Sequence, residues 1–321
     1  MDIWCFVKDK LPIQWPDPLE TVPESAFLWI DCTPKELDEA LALLRQLENI
    51  EIHGRHVDDC LNPQHPCSFE SMKDYYLLIF RSWIEIDSNY QSIETLPIAF
   101  IATERILLTV NHNDQILAHV KRRFAEAKRP HALSANLLIY IILNQVVDNF
   151  LTLRVPLASQ FEAWEALLLN EKRNFSQWSE FLAYKSNLRQ LRTLCEEQED
   201  TVGLWRDDLD TQLNEQMAVR LNDLADHIHR SLRHTQRLES DVDSLMQLHY
   251  FVVGQRTNEI IQLLTVISGI FLPMGLITGI FGMNFHHMDI LQSSAGFPLS
   301  LILMGVIAVT MLVFFRWKKW I

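Results

Sequence analysis

Ile260–Phe281 reads IIQLLTVISGIFLPMGLITGIF, 22 residues without a charge, and Phe297–Phe315 reads FPLSLILMGVIAVTMLVFF, 19 residues without one. A helix needs about 20 apolar residues to cross the ~30 Å hydrocarbon layer of a bilayer, so each stretch is long enough. One such stretch could be a buried core helix. Two of them, separated only by residues 282–296 at the C-terminal end, leave nothing large enough to bury both, and a membrane hairpin is expected.

The flanks set its orientation. Arg256 precedes the first stretch, Arg316, Lys318 and Lys319 follow the second, and the loop 282–296 holds no Lys or Arg. Positive charge is retained on the cytoplasmic side, so a multi-pass protein of the inner (cytoplasmic) membrane with both termini cytoplasmic is expected. Trp317 and Trp320 suit the interface between lipid and water. The chain carries a net charge of −13, yet the acids after residue 255 are only Glu259 and Asp289. The preceding part is therefore strongly acidic, which repels nucleic acid and attracts cations. Five scattered cysteines and no apolar leader in MDIWCFVKDK point to a reducing compartment.

Residues 1–132 read as an α+β cytoplasmic domain. Phe27–Ile30, Tyr75–Phe80, Pro97–Ala102 and Ile106–Val110 are apolar runs of strand length, the last two joined by a Thr103-Glu-Arg turn. Pro34–Leu47 reads as an amphipathic helix capped by Thr33, with Leu37, Leu41, Leu44 and Leu47 on one face. Residues 133–203 read as a helical region in which Leu137–Asn170 is kinked at Pro156. Leu213, Met217, Leu221, Leu224, Ile228 and Leu232, then Leu238, Val242, Leu245 and Val252, recur every three or four places. This periodicity predicts one long stalk helix over 204–281 that runs into the first membrane segment. A helix of that length rises ~115 Å, more than one subunit can cover, so a bundle of several is expected.

Small and polar residues recur along the first membrane segment: Asn258, Gln262, Thr265, Ser268, Gly269, Gly275, Gly279 and Gly282, together with Leu272. Spacing alone leaves two readings open. Small residues let helix backbones approach in lipid, and small or polar residues also wall an ion pore.

Gly282-Met283-Asn284, directly after a membrane segment and before a short loop, a second segment and a basic end, resembles the CorA family of divalent-metal transporters. Asn258-Glu259, Phe271-Leu-Pro273, Gly279–Phe285 and Lys318-Lys-Trp-Ile carry the likeness, with Trp29–Pro34 and Val57-Asp58-Asp59 upstream. The resemblance implies an α/β/α sandwich, a stalk helix, two C-terminal membrane helices (260–281 and 297–315) and a basic tail (316–321), assembled as a funnel-shaped homopentamer. It implies a selectivity ring of Gly282, Met283 and Asn284 at the outer mouth, in the periplasmic loop 282–296. It also implies a pore face of Asn258, Ile261, Thr265, Ser268, Leu272, Gly275 and Gly279. Amide oxygens there would meet hydrated Mg²⁺, which sheds its waters reluctantly.

The chain departs from the family where acidic residues usually follow the motif. Here the sequence is Phe285-His-His-Met-Asp289, so His286, His287 and Asp289 are candidate metal contacts at the mouth, and imidazoles suit Zn²⁺. Gly275 stands where the family often has Thr, and Gln247 lies in the lower stalk where an acid is usual. The ligand-capable run His53, His56, Asp58, Asp59, Cys60, His65, Cys67 is a candidate structural zinc site without a paired C-x₂-C knuckle. Asp207, Asp208, Asp241 and Asp243 are candidates for regulatory Mg²⁺, and His227, His229 and His234 for contacts between helices.

No Gly-rich phosphate loop, H-E-x-x-H or nucleophile elbow occurs, so enzyme and ATP-driven pump are not expected and no cofactor is called for beyond the ion itself. The partners expected are further copies of the chain, lipid and divalent metal, not nucleic acid. A Mg²⁺ channel is the first reading, and a Zn²⁺ (or Co²⁺/Ni²⁺) transporter of the same fold the second. A non-conducting membrane-anchored sensor or scaffold is the third.

Overall fold

The computed structural model describes residues 1–7, 10–14, 23, 26–84, 93–112, 114–126, 133–169, 175–209, 215–283 and 295–320. It divides into two units, Met1–Asp243 and Ser244–Ile321.

The first unit is built on a seven-stranded sheet in the order β2-β1-β3-β7-β6-β5-β4. The strands are β1 (Asp2–Phe6), β2 (Ile13–Gln14), β3 (Phe27–Cys32), β4 (Ser68–Ser71), β5 (Tyr76–Ile84), β6 (Glu94–Ala102) and β7 (Ile106–Asn111). β3 and β7 pair in parallel, and the other neighbours are antiparallel. All six residues of β3 and all six of β7 are buried. A strand covered on both faces carries a continuous apolar run, which is how these two announce themselves in the sequence. β2 and β4 lack such a run, and β1, whose run is only Ile3–Phe6, is a further strand that the sequence reading does not include. In the β6–β7 turn, Thr103 N–H donates to the Ile106 carbonyl (2.9 Å) and Thr103 Oγ1 accepts from Ile106 N–H (2.9 Å).

One face of the sheet is covered by α1 (Leu37–Glu48) and α2 (Gly54–Leu61). Their Leu37, Ala40, Leu44 and Cys60 join Leu28, Ile30, Ile79 and Leu108 in one apolar core. The expected Thr33 start holds: a short 3₁₀ turn, Pro34–Glu36, leads into α1, and the Glu36 carboxylate accepts from Thr33 N–H (2.9 Å) and Thr33 Oγ1–H (2.8 Å). α1 ends at Asn49, whose left-handed φ of 57° is one that asparagine tolerates. Toward the other face, Phe124 of α3 (Asp114–Ala125) packs edge-on against Trp29 and Phe6. α4 (Ala135–Thr152) lies along β5 and β6.

The polar residues buried within this sheet are connected. Trp29 Nε1–H donates to Thr109 Oγ1 (3.1 Å), Thr109 Oγ1–H donates to Asp31 Oδ1 (2.6 Å), and Lys121 Nζ bridges Asp31 and Asp2. Burial pulls the Lys121 ammonium down, but the Asp31 and Asp2 carboxylates outweigh it and hold the group above its ordinary range.

Ala135–Leu168 is long and apolar enough to cross a membrane on length and composition alone. Two observations place it in the core instead. Leu138, Ile139, Ile142, Leu143, Val146 and Val147 are already buried, and the helix is interrupted at Leu153, where α4 gives way to α5 (Arg154–Leu168). The break falls three residues before the expected kink. Pro156 occupies the first turn of α5, where its missing N–H costs no helical bond.

α6 (Trp178–Leu209) and the first part of α7 (Glu215–Phe281) complete the unit. The stalk helix expected from Leu204 begins at Glu215 instead, because Leu204–Leu209 is the end of α6. The buried stripe of α6 (Leu188, Leu191, Cys195, Val202, Trp205, Leu209) has the same three-to-four spacing as that of α7. With neither Gly nor Pro between them, periodicity could not show that two helices were present. The α7 stripe from Met217 to Leu245 is buried as expected, and it ends before Val252, which is 37% exposed. Ion pairs tie α6 to α7 in an antiparallel ladder: Glu199 with His229 (2.9 Å), Arg192 with Glu239 (2.9 Å), and Lys185 with Asp243.

The second unit contains the remainder of α7 and α8 (Gly296–Trp317). Both helices are long and apolar enough to cross a membrane, and both are almost wholly exposed in the single chain.

Candidate ion pathway

Within the second unit the small-residue stripe divides into shielded and exposed positions. Between Ile260 and Phe281 the shielded positions of α7 are Gln262, Val266, Gly269, Ile270, Pro273, Met274, Ile277 and Phe281. At Gly269 an added Cβ would stand 2.9 Å from Phe315 Cζ of α8, so this glycine is a packing notch. Asn258, Ile261, Thr265, Ser268, Leu272, Gly275, Gly279 and Gly282 follow steps of three and four along another line, and every one is exposed. At about 100° per residue, that line lies on the side of α7 away from α8. Nothing lies within 4 Å of a Cβ built on Gly275 or Gly279. Gly269 therefore leaves the stripe, and the positions implied by the family resemblance form one continuous face unused by packing in the chain.

Two backbone features bear on what this face can do. Thr265 Oγ1–H donates to the Ile261 carbonyl (2.7 Å), so its proton is engaged and only lone pairs face outward. An acceptor in that state suits the water shell of a cation. Pro273 sits inside the helix and has no N–H, so the Gly269 carbonyl lacks its helical donor. At the upper end, the Gly282 and Met283 N–H groups donate to Thr278 O (2.9 Å) and Ile280 O (3.3 Å), and Met283 is exposed. Asn284, His286, His287 and Asp289 lie outside the described residues.

The zinc candidate of the first unit does not assemble. Among the described residues no group of three or more His, Cys, Asp or Glu side chains could hold a metal ion. The side chains of that run are bound in separate ways. His53 Nδ1 accepts from Arg55 N–H (3.2 Å), buried His56 lies between Tyr75 Oη (2.9 Å) and Glu70 Oε2 (3.1 Å), and His65 faces Asp59 (3.3 Å). Cys60 belongs to the apolar core, and burial pushes both Cys60 and Cys67 thiols up to about 12, far from a metal-binding thiolate. Spacing in sequence could not reveal this, because α2 turns successive ligand-capable residues to different sides.

Of the acidic candidates, Asp243 pairs with Lys185 and Asp207 with Arg206 (3.3 Å). His227 lies between Asp148 (3.6 Å) and Asp223 (3.5 Å). His234 faces a small cavity lined by Leu153, Arg154, Leu191, Cys195 and Thr235. Burial, then the positive Arg154, holds its imidazole below the ordinary 6.5, although a hydrogen bond with the Arg154 main chain pulls the other way. The folded state thus takes up this proton less readily than the unfolded chain, so stability is lost as pH falls below ~6.5 and returns above it. His234→Gln should flatten that acid-side slope. Thermal unfolding of the full chain in detergent across a pH series would show it.

Comparison with known proteins adds lineage to this geometry. The cobalt/magnesium transport protein CorA of Thermotoga maritima is 27% identical over 280 residues, covering 84% of this chain and 77% of that one. The magnesium transport protein CorA of Haemophilus ducreyi is 25% identical over 309 residues, covering 92% of each. The complete structure of the CorA magnesium transporter from Methanocaldococcus jannaschii matches with a TM-score of 0.80 at 20% identity, over 100% of this chain and 99% of that one. The ZntB cytoplasmic domain from Vibrio parahaemolyticus matches with a TM-score of 0.61 at 15% identity, over 79% of this chain and 98% of that one. Both structural likenesses speak for the fold. The model of the CorA-like Mg²⁺ transporter protein family aligns with residues 24–319, nearly the whole chain, and with the sheet domain, the long helix and the apolar hairpin in place, this protein belongs to that family.

Proposed function

We propose that the chain is one subunit of a homopentameric divalent-cation channel of the inner membrane, with both termini cytoplasmic, and that Mg²⁺ is the ion it passes. The observation that carries this reading is the unpacked face from Asn258 to Gly282. A membrane helix whose small and polar side faces away from its own hairpin partner needs something other than lipid to cover it. Two spans cannot enclose a pore, and five copies of this face around an axis can. Thr265 and Ser268 would then meet the waters of a hydrated ion, and Gly275 and Gly279 would leave room for them. The Gly282-Met283-Asn284 ring would hold the hydrated ion at the outer mouth through amide and carbonyl oxygens. The membership is one of transport proteins, not enzymes, and no resident cofactor enters this account.

A Zn²⁺ reading rests on one specific feature, the His286-His287 pair after the motif, whose imidazoles suit a softer ion than Mg²⁺. Uptake of Mg²⁺ and of Zn²⁺ into liposomes containing the purified protein, beside Asn284→Ala, tests both. Mg²⁺ flux that Asn284→Ala alters is the expected result. Zn²⁺ flux without Mg²⁺ flux would move the assignment to the second ion. Flux of neither through an assembled protein would sink the transport reading and leave a membrane-anchored sensor or scaffold.

A further inference from the structure

The C-terminal end of α8 is closed by a Schellman motif. Lys319 adopts a left-handed φ of 56°, its N–H donates to Arg316 O (3.1 Å), and Trp320 N–H reaches back to Phe315 O (2.9 Å). That conformation is unfavourable for a residue with a side chain, so something else holds the turn. The contact available is aromatic: the Trp320 ring stacks on Phe315 with centroids 5.7 Å apart and planes 20° from parallel.

Phe315 is itself buried, at 6% exposure, in a helix that is otherwise almost bare. Its Cζ and Cε2 atoms lie 2.9 and 3.2 Å from where a side chain on Gly269 would begin. Gly269 is also the residue whose carbonyl lost its donor to Pro273. Three features therefore meet at one turn of α7: a missing side chain, a missing helical hydrogen bond, and an aromatic ring seated in the gap. Ordinary helix adhesion explains a glycine under a ring. It does not call for that ring to be clamped by the tail, nor for the notch to coincide with the turn that proline weakens. Thr265 and Ser268 of the unpacked face lie within one turn of this point.

We infer that Trp320, acting through Phe315, is a positioning residue that fixes the first membrane helix at its Gly269–Pro273 weak point, so that the tail sets the placement of the face carrying Thr265 and Ser268. The inference rests on the pore reading for its functional meaning, and its test does not depend on conduction.

The test is the rate at which a charged, water-soluble methanethiosulfonate reagent modifies Thr265→Cys in the full chain in liposomes. Leu263→Cys, about 160° round the helix from Thr265 and also exposed, is the control, and the unsubstituted chain supplies the background of its own cysteines. Trp320→Ala should change the Thr265→Cys rate about fivefold, the size expected on losing one aromatic pair, and leave Leu263→Cys at its starting rate. Trp320→Phe should restore the original rate. Gly269→Ala, which pushes Phe315 out of its seat, should disturb Thr265→Cys as Trp320→Ala does. Divalent flux on the same liposomes tests the pore separately, and its absence leaves the labelling result standing. Equal changes at both cysteines, which mean general loosening, or no change at either, would overturn the inference.

Discussion

Gly275→Leu should lower divalent flux by at least about tenfold while leaving the amount of assembled protein unchanged. The expectation comes from where the glycine sits. Among the described residues nothing lies within 4 Å of a Cβ built there, and the position is exposed, so a side chain at this point starts into open space. Leucine also favours a helix over glycine by roughly 0.5–1 kcal/mol, so the helix itself should not suffer. In a ring of five, however, five isobutyl groups would project into one narrow layer and replace space for water with apolar surface, and dewetting such a constriction stops hydrated ions. Gly269 is the comparison. The same enlargement there strikes Phe315, so its cost should fall on stability rather than on passage. Flux assays with size-exclusion of the solubilised assembly separate the two outcomes. Full flux through Gly275→Leu would remove this face from the ion's path.

Asp31→Ala should destabilise the sheet-bearing unit by about 3–5 kcal/mol, the range seen when one partner of a buried ion pair is removed. Asp31 is 4% exposed and holds two groups at once. It accepts from Thr109 Oγ1, which in turn accepts from the Trp29 indole, and it faces Lys121 Nζ. Truncation leaves a hydroxyl proton without its acceptor and a largely buried ammonium with Asp2 as its carboxylate contact. Most of the loss is then the cost of leaving the largely buried lysine with less compensating charge rather than the worth of the pair. Asp31→Ala combined with Lys121→Met should therefore be less destabilised than Asp31→Ala alone. Thermal or denaturant unfolding of the three variants would test this. A double variant as unstable as the sum of the two single ones would show that the charges do not act on each other.

Much of the architecture is legible in the residues because it depends on local patterns. Two uncharged stretches of membrane length, with basic residues outside them and none between, imply a hairpin, because lipid offers backbone polar groups no partner. The largely apolar runs of β3 and β7 declare strands covered on both faces, and the Met217–Leu245 stripe declares one buried helix face. Short or mixed strands do not declare themselves. β2 is two exposed residues and β4 is half-buried, so each exists only by pairing with a neighbour.

What the tertiary structure alone decided is which of several equivalent-looking residues meets which neighbour. Gly269 and Gly275 are both glycines on the same helix with the same small-residue spacing. Phe315 lies 46 residues further on than Gly269, and only the packing of α8 onto α7 separates the notch from the open face. The assignment of Leu209 to the end of α6 and of Glu215 to the start of α7, the dispersal of the His53–Cys67 run into separate hydrogen bonds, and the joining of Asp31 to Lys121 have the same origin. Periodicity reports that a residue faces something, because burial is the largest force acting on each side chain by itself. The identity of that something is set by non-local contacts, which no local pattern carries.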